Sequence, residues 1–160
     1  PPPPPNAPKK PSSLFSTKDI KRNSNLFYHT HNSFPSPKTS PHFHILLFCS
    51  STCNSAAELK KNFIELSQKI EGFARAGVVD CSQSANSRLC DNHGYSANRG
   101  CRIGVIGTSN EIDYMQQFDL KSMHTKLKNA IVLGSGVANV NRLTDITTRM
   151  LGGGTVTSIR

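Results

Sequence analysis

An uninterrupted apolar run, HFHILLFC at residues 42–49, most constrains how this chain can fold. From Ile45 to Cys49 no polar residue alternates with the apolar ones, and this pattern is typical of a strand that is buried on both faces. The run has the length of a strand and is far shorter than the roughly 18 to 20 apolar residues that a membrane span needs. We therefore expect a buried β-strand here and no membrane-spanning segment in the chain.

A helical pattern follows the run. Between Ser55 and Gly72 the apolar residues recur at intervals of three and four, which places them on one face of a helix. They are Ala56, Leu59, Phe63, Leu66 and Ile70. Asn54 or Ser55 can cap this helix, and Glu58 can complete a capping box with Ser55. The pattern predicts an amphipathic helix that begins shortly after the buried strand.

The remaining elements complete an alternating order. Further strands are predicted at 75–81, 101–107 and 111–118, and further helices at 84–94 and 119–132. The order β-α-β-α-β-β-α predicts two crossover units with parallel pairing, followed by a hairpin of the last two strands. The expected fold class is therefore α/β, with a central four-stranded mixed sheet flanked by helices.

Composition divides the chain into three parts. Residues 1–41 are rich in proline and basic residues, and we interpret them as an extended N-terminal arm or linker. Their apolar residues fit either a strap that packs on the domain or a docking segment for a partner. Residues 42–133 are the expected folded domain, and residues 134–160 are expected to hold a C-terminal helix and a flexible tail.

The positive charge lies mainly in the flanks of the chain. Residues 1–40 carry six Lys and Arg against one acid, residues 41–118 carry seven against seven, and residues 119–160 carry six against two. A nucleic-acid-binding domain is expected to carry a basic stripe on its folded surface. Nucleic-acid binding is therefore not the favoured interpretation, although basic tails leave a ribonucleoprotein subunit as one alternative.

The element order, with a cysteine between the first strand and the first long helix, resembles the thioredoxin fold. The stretch LLFCSSTCNSA resembles the active-site element of thioredoxins and places Cys53 at the first active-site cysteine. The pattern GVVDCS…LCDNHGYS resembles protein disulfide isomerase domains. The stretches IEGFARAGVVDCS and GCRIGVIGTSNEI are similar to the thioredoxin-like region downstream of the J domain in certain large J-domain co-chaperones. The resemblance covers about residues 42–133.

The same resemblance implies that the dithiol site is incomplete. Cys53 stands at the start of a helix, where the helix dipole lowers the pKa of a thiol. The resolving cysteine is replaced by Ala56, and the tryptophan that usually precedes the nucleophile is replaced by Thr52. Leu47 replaces a buried acid, and Arg99 falls nearest the place of the cis-proline. The chain is thus expected to be a degenerate, redox-inactive member of this superfamily and not a dithiol enzyme.

The favoured interpretation is a protein-interaction or scaffold module that belongs to a chaperone-type protein or to an organellar assembly. The partner is then another protein or a larger complex, bound at the surface around the helix start and the loop before the third strand. That surface consists of Cys53, Asn54, Ser55, Ala97, Asn98 and Arg99. The alternative is a monothiol oxidoreductase or redox-regulated chaperone that uses Cys53, with Arg99 lowering its pKa.

The other cysteines have mainly structural interpretations. Cys81 and Cys90 are the candidate disulfide, because one ends a strand and the other lies in the short helix that follows. Such a bond implies an oxidising compartment, so the endoplasmic reticulum lumen or another organelle is favoured over the cytosol. Cys49 and Cys101 are interpreted as buried core residues. Since the count of five cysteines is odd, at least one thiol stays free.

No metal or cofactor is predicted. A loose group of histidines, His29, His31, His42 and His44, lies near the first strand. No Cys-x₂-Cys or His-x₃-His element accompanies them, so they are interpreted as exposed or locally hydrogen-bonded. The glycine-containing stretches GVIGTSNE and LGSGVANV match neither a dinucleotide fingerprint nor a phosphate-binding loop.

Overall fold

The computed structural model describes residues 12–132, and this part of the chain contains five strands and four α-helices. The strands are β1 (Leu26–His29), β2 (His44–Cys49), β3 (Arg75–Asp80), β4 (Arg102–Ile106) and β5 (Ile112–Met115). The helices are α1 (Thr17–Arg22), α2 (Ala56–Lys69), α3 (Ser87–Asn92) and α4 (Leu120–Val132). A short 3₁₀ turn at Ser84–Asn86 precedes α3. The helix and tail predicted at 134–160 lie outside the described residues.

The central element is β2, which pairs in parallel with β3 and antiparallel with β4. Every residue of β2 is buried. This confirms the expectation of a strand buried on both faces. The full strand order is β1-β3-β2-β4-β5, so the sheet is mixed, and the α/β class is confirmed. No helix within the described residues is long and apolar enough to cross a membrane.

The sheet has one strand more than predicted. β1 lies in the segment that was interpreted as an arm or linker, and it pairs in parallel with β3, with Leu26 opposite Ala76. Leu26 is buried in the core, and α1, which precedes β1, is capped reciprocally by Ser16 and Asp19. The predicted four-stranded sheet is therefore wrong by one strand. The part of the arm from Ser12 onward belongs to the folded unit.

The second crossover also differs from the prediction. The predicted crossover from β3 to a parallel third strand is not formed, because β4 runs antiparallel to β2. A helix rises about 1.5 Å per residue, so the six residues of α3 span only about 9 Å. That length does not carry the chain back across the sheet, and β4 therefore begins at the edge where β3 ends.

One face of the sheet carries the main core. The predicted apolar stripe of α2 packs on this face, and Leu59, Phe63, Leu66 and Ile70 are all buried. Met123 and Leu127 of α4 join the same cluster. Two long amphipathic helices thus cover one side of the central strands.

The opposite face is covered by α3 and by two half-buried histidines. His93 stacks on Phe48 with 5.1 Å between ring centroids, and its Nδ1 lies 2.6 Å from the Tyr114 hydroxyl. Burial lowers the pKa of His93, and the nearby charge of Arg102 lowers it further. Burial also lowers the pKa of His29, whose ring lies over the β3 backbone. Both imidazoles are therefore poorer bases in the folded chain than in the unfolded one.

These histidines make stability depend on pH. An unfolded histidine has a pKa of about 6.5. Because the folded pKa values of His29 and His93 are lower, the unfolded state takes up protons first as pH falls. The stability that depends on the neutral rings is complete above the unfolded pKa and is lost as pH falls from there through the lower folded pKa. We expect His29→Gln and His93→Gln each to reduce the difference in unfolding free energy between pH 7.5 and pH 5.

The matched control is His124→Gln, because His124 is exposed on α4. Urea unfolding at several pH values measures the free energy for all three variants. An unchanged pH dependence in both His29→Gln and His93→Gln contradicts the assignment.

Candidate functional site

The site begins where β2 ends, in the segment that leads to α2. Cys53 lies in this segment and is joined by a disulfide to Cys101, the residue before β4. Their Cα atoms are 5.7 Å apart, although 48 positions separate them in sequence. Only 9% of Cys53 and 3% of Cys101 is exposed to solvent. The bond is therefore a nearly buried link between two loops at one edge of the sheet.

A hydrogen-bonded contact strengthens the same link. The Ser50 hydroxyl is fully buried and lies 2.9 Å from the Tyr95 hydroxyl and 2.9 Å from that of Thr52. Ser50 follows β2 directly, whereas Tyr95 lies in the loop between α3 and β4. The disulfide and this contact together hold the two loops against each other.

The loop before β4 is a tight turn that presents polar side chains. Ser96 and Gly100 form an isolated antiparallel bridge, and the Arg99 amide donates to the Ser96 hydroxyl at 3.0 Å. Gly100 has φ +80°, a conformation that side chains disfavour. The turn leaves Ala97, Asn98 and Arg99 exposed.

The predicted interaction residues are thereby gathered at one edge of the sheet. Asn54 and Ser55 are exposed beside Cys53, and Arg99 lies two positions before Cys101. Because Cys53 is bonded to Cys101, the α2 start and the turn at 96–100 are held side by side. Cys53 itself is buried beneath this surface.

The start of α2 differs from the predicted capping box. Ser55 is in the N-cap position but has φ 55° and ψ 37°, the left-handed region. Its side chain makes no capping hydrogen bond, so the predicted reciprocal contact with Glu58 is absent from the described helix. For a residue other than glycine this conformation costs about 1 to 2 kcal/mol. This left-handed residue lies two positions after Cys53, which is fixed by its disulfide.

Two cysteine predictions are corrected by the Cys53–Cys101 bond. Cys53 was the candidate reactive thiol, and in this structure it has no thiol to activate. Cys101 is buried, as expected of a core residue, but it is also the partner of Cys53. The antiparallel register, with Phe48 opposite Arg102, brings Cys101 to the end of β2. The expected effect of Arg99 on a Cys53 thiolate therefore does not arise in the bonded state.

The other disulfide lies across the sheet from the first. Cys81 and Cys90 are bonded, with 6.0 Å between their Cα atoms, and this is the pair that the sequence indicated. Cys90 packs with Leu46 and Phe48 on the face opposite the main core. Cys49 is the one free cysteine of the five, and burial together with Asp80 raises the pKa of its thiol well above the usual range.

Three of the histidines that the sequence places near the first strand pack against one another through their rings. The ring of His44 lies 6.1 Å from that of His29 and 6.3 Å from that of His42, edge to face in both cases. Between residues 12 and 132 no three His, Cys, Asp or Glu side chains are grouped to hold a metal ion.

The mixed sheet, the helices on its two faces and the position of Cys53 before α2 define a thioredoxin-like fold. Two solved structures show the same fold. The J-Trx1 fragment of ERdj5 is 13% identical with a TM-score of 0.59, over 73% of this chain and 55% of that one. Form I of ERdj5 is 14% identical with a TM-score of 0.58, over 68% of this chain and 14% of that one.

These comparisons confirm the resemblance to thioredoxin-like and disulfide-isomerase-like domains at the level of the fold. The chain spans about half of the first of these structures and about a seventh of the second. No family model matches the sequence, and no curated protein matches it.

The two disulfides are expected to stabilise the fold unequally. A cross-link limits the unfolded chain more when it closes a longer loop. The separations are 48 residues for Cys53–Cys101 and 9 for Cys81–Cys90, which correspond to about 4 and about 2.5 kcal/mol. We therefore expect Cys53→Ala/Cys101→Ala to lose more unfolding free energy than Cys81→Ala/Cys90→Ala.

Denaturant unfolding without reductant measures both losses. The control repeats the unfolding of all three proteins in dithiothreitol. Reduction removes the remaining cross-links, so the differences in unfolding free energy between the variants and the unmodified chain should become smaller. Peptide mapping under non-reducing conditions should recover both pairs and one thiol at Cys49. An equal or reversed order of the two losses contradicts the loop-length argument.

Proposed function

We propose that this chain is a redox-inactive thioredoxin-like module that binds a protein partner, with its former active-site position closed by a structural disulfide. The observation that carries the proposal is the Cys53–Cys101 bond. It occupies the place where a thioredoxin-like enzyme presents its reactive cysteine. Closing that place removes the nucleophile and leaves the surrounding surface available for binding.

The chemistry of thiol–disulfide exchange supports this assignment. Exchange needs a thiolate that attacks an accessible sulfur and a second thiol that resolves the mixed disulfide. The helix position three residues after Cys53 holds Ala56, so no resolving thiol stands in that turn. An incoming thiolate must also reach Cys53 or Cys101, and both are at most 9% exposed. These features favour a bond that persists.

The binding surface that we propose is the one around this disulfide. Asn54 and Ser55 border it on one side, and Ala97, Asn98 and Arg99 border it on the other. All five residues are exposed, and the tight turn at 96–100 holds the second group in place. This arrangement suits an extended polypeptide better than a small molecule.

Two disulfides among five cysteines favour an oxidising compartment, and we propose the endoplasmic reticulum lumen or another organelle. The likeness to fragments of ERdj5 supports a setting in chaperone-type polypeptides or in an organellar assembly. The monothiol alternative requires that Cys53 be reduced, so it predicts that the chain accelerates disulfide reduction, whereas our proposal predicts that it does not. The ribonucleoprotein alternative depends on the basic flanks, and the described surface adds no support to it.

Redox inactivity can be tested directly. We expect the oxidised chain not to accelerate the reduction of insulin by dithiothreitol, and Cys53 not to react with iodoacetamide before reduction. Cys101→Ser leaves Cys53 as a thiol, so iodoacetamide should then label this residue slowly, as expected of a thiol that is only 9% exposed. Substantial insulin reduction by the unmodified chain contradicts the proposal and supports an enzyme.

The binding surface can be tested with a reduced and carboxymethylated polypeptide, which has neither stable structure nor thiols. We expect its addition to shift the NMR amide signals of residues 54–55 and 97–99. Arg99→Glu should weaken this binding several-fold. Lys61→Glu is the matched control, because Lys61 is exposed on α2 outside the surface. Equal weakening by both variants indicates a charge effect without a site and contradicts the assignment.

A further inference from the structure

A cleft lies at the end of the sheet where β1 and β3 finish, apart from the surface around the disulfide. Its volume is about 570 Å³. The segment before α1 forms one side, the end of β1 another, and the turn after β3 the third. The residues that matter for its chemistry are Ser13, Tyr28, Asp80, Gln83 and Asn86. No residue of the proposed interaction surface lines it.

Asp80 supplies the cleft with a carboxylate that is nearly buried, since only 7% of the residue is exposed to solvent. Its oxygens accept hydrogen bonds from the Ser13 hydroxyl, the Ser82 amide at 3.0 Å and the Ser82 hydroxyl at 2.5 Å. All of these donors are neutral, and among residues 12–132 Asp80 forms no ion pair within 4 Å. A nearly buried carboxylate whose partners among residues 12–132 are all neutral can gain stability from a positive ligand.

Asn86 adds an acceptor that has no donor. Its Nδ2 donates to the Asp80 carbonyl at 3.0 Å, which fixes the other terminal atom as the Oδ1 oxygen. This Oδ1 is buried and accepts no hydrogen bond. A buried acceptor left without a donor costs about 1 to 3 kcal/mol. Gln83 is exposed and lines the same cleft.

Tyr28 completes the lining with an aromatic ring. Its hydroxyl donates to the Phe15 carbonyl, so the ring is held in place at the side of the cleft. Burial raises the pKa of Tyr28 to about 12, and the charge of Asp80 contributes. Aromatic faces attract cations within about 6 Å of the ring centroid.

We propose that this cleft binds a primary ammonium group, such as the lysine side chain of an extended peptide. An ammonium carries one positive charge and three N–H donors, which match the Asp80 carboxylate, the Asn86 oxygen and the Tyr28 ring. Calcium fits less well, because it takes six to eight oxygen ligands and the cleft offers one carboxylate. The site is independent of the function proposed above, since it uses none of the same residues.

The test uses the whole chain and the probe Nα-acetyl-lysine N-methylamide, followed by NMR amide signals at 150 mM salt. We expect shifts in residues 13–17, 28–30 and 80–86, with a dissociation constant in the millimolar range, about 1 mM, as befits a small ligand. The same probe acetylated at Nε keeps its shape but loses its charge, and it should bind at least tenfold more weakly. Equal binding of the two probes overturns the proposal.

Two variants and a control assign the site. Asp80→Asn should weaken binding at least tenfold, and Gln83→Lys should do the same because its own ammonium can occupy the cleft. Because Gln83 is exposed, Gln83→Lys should fold normally, and it therefore tests the site even if Asp80→Asn does not fold. Asp91→Asn removes an equal charge from the exposed surface of α3 and should bind as the unmodified chain does.

Other outcomes overturn the assignment. Retained binding in a folded Asp80→Asn and in Gln83→Lys places the probe elsewhere. Tighter binding of calcium chloride at the same amides makes the cleft a metal site. Tighter binding of Nα-acetyl-arginine N-methylamide makes it a guanidinium site. Asp80→Asn and Gln83→Lys leave residues 54–55 and 97–99 unchanged, and the insulin assay does not involve the cleft, so failure here is distinguishable from failure of the proposed function.

Discussion

The pairing of β2 with both β3 and β4 is the interaction on which the rest of this structure depends. A strand with every residue buried cannot be stable unless its backbone is bonded on both edges and its side chains are covered on both faces. α2 and α4 supply the cover on one face, and α3 supplies part of it on the other. Because β2 and β3 are parallel, the segments that follow them meet at one edge. β4 begins at that same edge, and Cys53 and Cys101 are therefore neighbours.

The position of Cys53, before the first long helix, would favour a reactive thiolate, but here it forms a structural disulfide. A helix start favours a thiolate because its free N–H groups carry partial positive charge. Once the sulfur of Cys53 is bonded to Cys101, there is no charge for the helix to stabilise. The disulfide instead joins the loop before α2 to the residue that follows the turn at 96–100. The fold thus keeps a cysteine before its first long helix, and in this chain that cysteine is part of a cross-link.

The sequence was a good guide to long elements and a poor guide to long-range pairing. β2, α2 and α4 were predictable because burial and helical periodicity act over six to fourteen residues. β1 was missed because four residues beside a proline-rich stretch carry little pattern. The direction of β4 depends on the length of α3, which the pattern overestimated. Cys81 and Cys90 were found as a pair because the chain turns back within nine residues.

The Cys53–Cys101 pair was missed for a different reason. Its partners are 48 residues apart, and only the register between β2 and β4 brings them together. One signal was available in the sequence. In the thioredoxin fold the loop around Arg99 faces the start of the first long helix, and Cys101 lies only two residues beyond Arg99. With five cysteines and one clear local pair, geometry was needed to choose among the other three.

The N-terminal segment contacts two places at this edge of the sheet. Ser12 exchanges hydrogen bonds with Ser51 in the loop that leads to Cys53, including Ser51 N–H to the Ser12 carbonyl at 2.8 Å. The next residue, Ser13, donates to Asp80 in the cleft. A segment whose composition suggested a linker therefore contacts both the loop that leads to Cys53 and the carboxylate of Asp80. The hydrogen bonds of Ser12 and Ser13 thus make this part of the arm belong to the folded domain.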